Sequence, residues 1–78
     1  MTKKISTRRE RFEKVAARRV QKIISFMDSL ANCANRANYE YTDEDVRKMF
    51  RAIREQLSNT ESAFNKQLNK EDKNSFKF

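Results

Sequence analysis

Residues 32–50 read NCANRANYEYTDEDVRKMF, and this stretch combines the end of one helix with the start of another. Thr42 offers an N-cap hydroxyl, and the three acids that follow it suit the positive end of a helix dipole. Thr42 and Asp45 also approximate a capping box, in which each side chain bonds the other residue's backbone N–H. Asparagine, which recurs upstream at every third position, is the best substitute for Gly in the left-handed conformation that ends many helices. The stretch therefore predicts a helix stop, a joint over about residues 35–41, and a new helix.

Apolar residues recur with helical spacing on both sides of this joint. They predict one helix over about residues 7–34 and a second over about residues 43–67, each with a single apolar stripe. We expect residues 1–6 to form a basic flexible leader and residues 69–78 to form a polar tail that is disordered alone. The first stripe consists of Phe12, Ala16, Val20, Ile23, Met27, Leu30 and Ala34, and the second of Val46, Met49, Phe50, Ile53, Leu57, Phe64 and Leu68.

The composition favours an all-α fold. The 78 residues include no Gly and no Pro, so tight turns and hairpin loops lose their preferred residues. Two long amphipathic helices joined in this way predict an antiparallel hairpin. The apolar arc of the first helix is too wide for one neighbour, so we expect two hairpins to pair as a homodimeric four-helix bundle.

Several kinds of chemistry are disfavoured by the residues present. The chain has no His and one cysteine, Cys33, so neither a standard zinc cluster nor an internal disulfide can form. We find no catalytic constellation, and we predict a protein that is not an enzyme and uses no cofactor and no metal. The first residues do not resemble a signal peptide and the apolar runs are too short to span a bilayer. We therefore expect a cytoplasmic protein that does not bind membranes.

The net charge lies entirely in the first part of the chain. Residues 1–22 carry nine basic and two acidic side chains, a net charge of +7, whereas residues 23–78 carry nine of each. This asymmetry indicates an anionic partner, and phosphate contacts to DNA or RNA fit a basic helix edge with a basic arm. The alternatives are a solvated helix face and a docking surface for an acidic protein. The predicted phosphate contacts are Lys3, Lys4, Arg8, Arg9, Arg11, Lys14, Arg18 and Lys22.

A second group of arginines lies on the second helix at positions i, i+4 and i+7. Arg47 and Arg51 each have an oppositely charged residue four positions away, so ordinary ion pairing within the helix explains them. Arg54 has no such partner, and we add it to the candidate nucleic-acid site. Arg19 falls inside the apolar arc of the first helix, where it either snorkels or meets Asp28 or Glu61 across an interface.

The joint itself is a third candidate site. Its residue types read base edges, stack on bases or anchor protein interfaces. The structural interpretation, which we favour, is that the asparagines cap, the tyrosines cover the end of the hairpin and Arg36 pairs with Glu40. The joint residues concerned are Asn35, Arg36, Asn38, Tyr39 and Tyr41.

The same joint carries a resemblance. Residues 32–50 resemble a pattern in small uncharacterised proteins of bacterial plasmids, conjugative elements and prophages. In those proteins an N-x-x-N-R-x-N-Y-E-Y-T joint follows a basic helix and precedes an acidic helix start. The resemblance implies a mobile-element context, and it implies no functional residues because the family has no established activity.

These observations lead to one main hypothesis and two alternatives. The main hypothesis is a small non-enzymatic nucleic-acid-binding protein that contacts phosphates through its basic N-terminal arm and first helix. The first alternative is an adaptor or inhibitor that docks its basic helical hairpin on an acidic partner protein. The second is a structural homo-oligomer whose charge only maintains solubility.

Overall fold

The computed structural model describes residues 7–73, with side-chain surroundings described through residue 70. Helix α1 is Thr7–Ala31, a short 3-10 turn spans Asn32–Ala34, and helix α2 is Asp43–Lys73. The described residues contain no strand, so the predicted all-α class is confirmed. The chain divides into two units after Glu40, one containing each long helix. The antiparallel hairpin and the homodimeric bundle stay predictions.

Helix α1 ends differently from the expectation. Its α-helical part stops at Ala31, and the residues up to the predicted end at 34 form the tighter 3-10 turn. Asn35 follows in an extended conformation, with φ −67° and ψ 106°. No described residue has a positive φ, so the expectation of a left-handed asparagine is wrong. The physical reason is that the 3-10 turn already bonds the Asn35 N–H to the Asn32 carbonyl at 3.5 Å.

Helix α2 begins as its sequence predicts. The Thr42 N–H donates to Oδ2 of Asp45 at 2.9 Å, and the Asp45 N–H donates to Oγ1 of Thr42 at 3.1 Å. These two hydrogen bonds confirm the reciprocal capping box, which satisfies two backbone donors that a helix start otherwise leaves without partners. The first intrahelical bond then runs from the Val46 N–H to the Thr42 carbonyl at 3.2 Å.

The C-terminal end of α2 lies beyond the prediction. The helix continues through Lys73, past the expected end near residue 67 and into the segment expected to be a polar tail. Nothing in residues 68–73 interrupts a helix, because this segment has no Gly or Pro and carries Lys and Glu, which favour helix. Residues 74–78, the rest of the predicted tail, and residues 1–6, the predicted leader, lie outside the described residues.

The apolar stripes of both helices face solvent. No described residue is buried, and the most covered apolar side chains, such as Leu30, Phe50 and Ile53, are only half-buried. On α1 the Phe26 side chain is 73% exposed, and on α2 the Leu68 side chain is 65% exposed. Each helix therefore presents an apolar face, and covering that face with a partner would be favourable because it removes apolar surface from water.

Candidate nucleic-acid interface

The basic stripe consists of four cationic side chains on one side of α1. At about 100° of rotation per residue, they fall within an arc of about 80° that is centred nearly opposite the apolar stripe, and they extend over about 16 Å of the helix axis. All four are exposed, and none forms an ion pair or a hydrogen bond in the described part of the chain. Their charges are therefore available to an outside anion. The residues of this basic stripe are Arg11, Lys14, Arg18 and Lys22.

Of the acids of α1 only Glu10 lies near the basic stripe, four residues before Lys14. Glu10 and Asp28 project in the same direction, roughly 40–120° around the helix from the four cations. Glu13 projects about 60° further around the helix from the cations than these two acids do. Two serines, Ser25 and Ser29, share the angular range of the basic stripe and extend it by about 10 Å toward the C-terminus. Hydroxyls are common phosphate donors, so these serines belong to the candidate surface. Our sequence reasoning missed them because it followed charge only, although their helical spacing was already visible.

The first turns of α1 are partly committed to contacts within the helix. The Arg9 Nε donates to Oε2 of Glu13 at 3.0 Å, and its guanidinium carbon lies 5.8 Å from the centre of the Phe12 ring. Both charged side chains remain more than half exposed, so water screens the pair and it contributes little stability. Arg9 can therefore exchange this carboxylate for a phosphate at small cost. Arg8 is exposed at the start of α1, whereas the predicted contacts Lys3 and Lys4 lie outside the described residues.

The arginines of α2 lack the ion pairs that the sequence suggested. Arg47 and Arg51 have acids four residues away, yet neither forms an ion pair within 4.0 Å in residues 7–70. Arg54 is exposed and has no polar partner there either. All three guanidinium groups are thus available, and they lie on one side of α2, where Arg54 is nearest to the apolar stripe.

The joint is held by hydrogen bonds to Asn35. Its side-chain Oδ1 accepts the Ala37 N–H at 2.9 Å, which makes an Asx turn. Its backbone carbonyl accepts the N–H groups of Asn38 at 3.1 Å and Tyr39 at 3.0 Å. These bonds give Asn35 a structural role and leave the Asn38 side chain and about half of the Tyr39 ring exposed. The other candidates of the joint are an exposed Arg36 and a half-buried Tyr41, and both have contacts within the chain.

Other kinds of site receive no support from the described residues. Within residues 7–70 no three acidic or cysteine side chains converge in a way that would hold a metal ion, and Cys33 is an exposed free thiol. In that part of the chain neither helix combines the length and the apolar character that crossing a membrane requires. Comparison with protein-family models, with curated proteins and with solved structures finds no match for this chain. The functional argument therefore depends on the geometry of the two helices.

Proposed function

We propose that this chain is a small non-enzymatic protein that binds DNA or RNA through its basic N-terminal arm and α1. The observation that supports this most directly is the basic stripe, whose four exposed cations have no carboxylate partner. Of these four cations only Lys14 has an acid, Glu10, three or four residues away, so ion pairing within the helix does not account for the row. An anionic partner explains it better than helix stabilisation does.

The length of the basic stripe suits a phosphate backbone. Its span of about 16 Å equals roughly five base steps of a duplex at 3.4 Å each. Four phosphate contacts give a slope of about −3.6 in the logarithm of affinity against the logarithm of salt, which weakens binding roughly 150-fold between 50 and 200 mM. We propose little base readout, because the joint is longer than a helix-turn-helix loop and α2 begins with acids where a recognition helix meets bases.

Fluorescence anisotropy with a labelled DNA duplex and a labelled single-stranded RNA tests this proposal. Titrations at about 50 and about 200 mM salt should show binding at the lower salt that weakens by two orders of magnitude at the higher. Absence of binding at the lower salt, with helicity verified by circular dichroism, would overturn the proposal. The phosphate contacts of α1 suit either backbone. The affinities for the two probes therefore have to be compared to decide between DNA and RNA.

A second candidate function follows from the apolar face of α1. Ile23 and Phe26 are 61% and 73% exposed on a helix with a basic edge. A protein surface that combines an apolar groove with acidic rims would satisfy both features. As such an adaptor or inhibitor, the chain would retain one specific acidic protein at salt concentrations that abolish binding to nucleic acid. Retention at high salt therefore distinguishes docking on a protein from binding to nucleic acid.

We also propose that the two helices pair as an antiparallel hairpin and that two chains form a homodimeric four-helix bundle. The support is the exposure of both apolar stripes, since a continuous apolar face in contact with water is unfavourable and packing against another helix would cover it. Sedimentation equilibrium should give twice the mass of the 9.3 kDa chain. A monomer at micromolar concentration would contradict the dimer.

We also propose that the protein acts in the cytoplasm and is encoded on a mobile genetic element. The resemblance of the N-x-x-N-R-x-N-Y-E-Y-T joint supports a role in a plasmid, conjugative element or prophage. The neighbouring genes test this, because genes for replication, transfer or phage functions should surround the coding sequence.

A further inference from the structure

The apolar stripe of α2 follows a coiled-coil period. Five of its members, taken together with Thr60 and Gln67, are separated alternately by four and three residues, an average of 3.5, which is the heptad spacing of helices that wind around each other. In heptad terms the stripe alternates between d and a positions from the first turn of α2 almost to its end. The seven heptad positions are Val46, Phe50, Ile53, Leu57, Thr60, Phe64 and Gln67, and the apolar residues Met49 and Leu68 lie outside them.

Thr60 is compatible with this stripe despite its hydroxyl. The hydroxyl donates to the Gln56 carbonyl at 2.8 Å, so its hydrogen is satisfied within the helix. The side-chain Nε2 of Gln56 in turn donates to the Thr60 hydroxyl oxygen at 3.4 Å. Covering Thr60 with another apolar surface therefore leaves no unpaired donor, and its methyl group continues the stripe between Leu57 and Phe64.

Two opposite charges flank the stripe on the same side. Arg54 and Glu61 are seven residues apart, so they project in nearly the same direction, about 20° from each other. Both are exposed, and neither forms an ion pair or a hydrogen bond in the described part of the chain. They are too far apart along the helix to pair with each other, since seven residues span about 10 Å.

We propose that α2 packs against α2 of a second copy of this chain in antiparallel orientation, with Arg54 beside Glu61 of the second copy. An antiparallel pair brings the same flank of both helices together. The two-fold axis then makes each such contact twice, so Arg54 and Glu61 of both copies are all paired. The same alignment places Leu57 opposite Thr60 and Ile53 opposite Phe64 in the centre. This inference deepens the proposed self-association and is independent of binding to nucleic acid.

The ends of α2 favour the same orientation. The first turn of each α2 carries Asp43, Glu44 and Asp45. A parallel pair would bring six carboxylates together at one end and align both helix dipoles. An antiparallel pair instead separates the two acidic starts by the length of the helix and sets the two dipoles in opposite directions. In a parallel pair Arg54 and Glu61 would meet the uncharged flank residues Met49 and Gln56, so they would stay unpaired.

A charge swap tests the pairing in the full chain without nucleic acid. Arg54→Glu and Glu61→Arg should each weaken dimerisation about tenfold at 150 mM salt, because each turns two attractions into two repulsions. The double variant should restore the affinity of the native chain. Sedimentation equilibrium measures the dissociation constants. The matched controls Arg51→Glu and Glu55→Arg make the same charge changes away from the stripe and should leave dimerisation within twofold.

The possible outcomes separate the arrangements. Single variants without effect, or a double variant that fails to recover, would overturn the pairing. Loss of dimerisation with Glu61→Arg alone would assign Glu61 to another cation such as Arg19. A monomeric native chain would overturn both this pairing and the proposed dimer, but it would leave the anisotropy result for nucleic acid unaffected.

Spin labels give a direct measurement of orientation. In a Cys33→Ser background, Lys48→Cys carries a label on the side of α2 opposite the stripe. In the proposed dimer the two labels are offset by about 31 Å along the helix axis, whereas in a parallel dimer they are level. Double electron–electron resonance should therefore give a separation at least 10 Å longer than the parallel arrangement allows. A separation that matches level labels would overturn the proposal.

Discussion

Removing positive charge from the basic stripe should make binding to nucleic acid less sensitive to salt. The perturbation is the triple substitution Arg11→Gln, Lys14→Gln and Arg18→Gln, and Gln maintains the helix because its propensity is close to those of Lys and Arg. Each phosphate contact contributes about 0.9 to the salt slope, so the triple variant should be shallower by about 2.7. Between 50 and 200 mM salt, this difference corresponds to about 40-fold in affinity.

The assay is anisotropy with a labelled duplex at four or more salt concentrations from 50 to 200 mM. The matched control is Lys48→Gln, Lys66→Gln and Lys70→Gln in α2, because it removes the same charge from exposed positions outside the candidate site. We expect the control to retain the slope of the native chain within about one unit. An unchanged slope in the α1 variant would refute the role of the basic stripe. Equal losses in both variants would show that net charge alone determines binding.

Three further predictions concern stability and assembly. Thr42→Ala should lower the free energy of unfolding by about 1 kcal/mol in urea denaturation followed by circular dichroism, whereas Thr42→Ser should change it little; equal effects would contradict the role of the capping box. Asn35→Ala should speed hydrogen exchange at the Ala37 amide by removing its acceptor, and Asn35→Asp should retain the protection; unchanged exchange in the alanine variant would show that the Asx turn does not form. Thr60→Lys should weaken dimerisation at least tenfold in sedimentation equilibrium, whereas Thr60→Val and the far-side control Asn59→Lys should not; a tolerated lysine would exclude Thr60 from the interface.

The two helices were predictable because the signals for them are local and repeated. Apolar spacing near 3.6 over many residues identifies each helix, and the capping box at Thr42 needs only two residues three positions apart. The observed start of α2 and both hydrogen bonds of that box match the prediction. Likewise, the four cations of the basic stripe share one face in the structure because helical geometry alone determines their directions.

The ends of the helices were harder to predict, because competing conformations there differ little in free energy. The joint can stop α1 with a left-handed asparagine or with a 3-10 turn and an Asx turn, and the chain uses the second. At the other end, the sequence of residues 68–73 is polar and suits either a solvated tail or a helix, and α2 continues through it. No strong local signal, such as a Gly or a Pro, separates the alternatives.

The sequence by itself determined the class of the fold, the start of α2, the capping box at Thr42 and the concentration of net charge before residue 23. These properties depend on residue type and short-range spacing. Only the three-dimensional structure decided which charges pair. Arg9 bonds Glu13, whereas the arginines of α2 leave acids at the same spacing unpaired. The reason is that exposed ion pairs contribute less than about 1 kcal/mol, so spacing permits them and the surrounding side-chain conformations select among them.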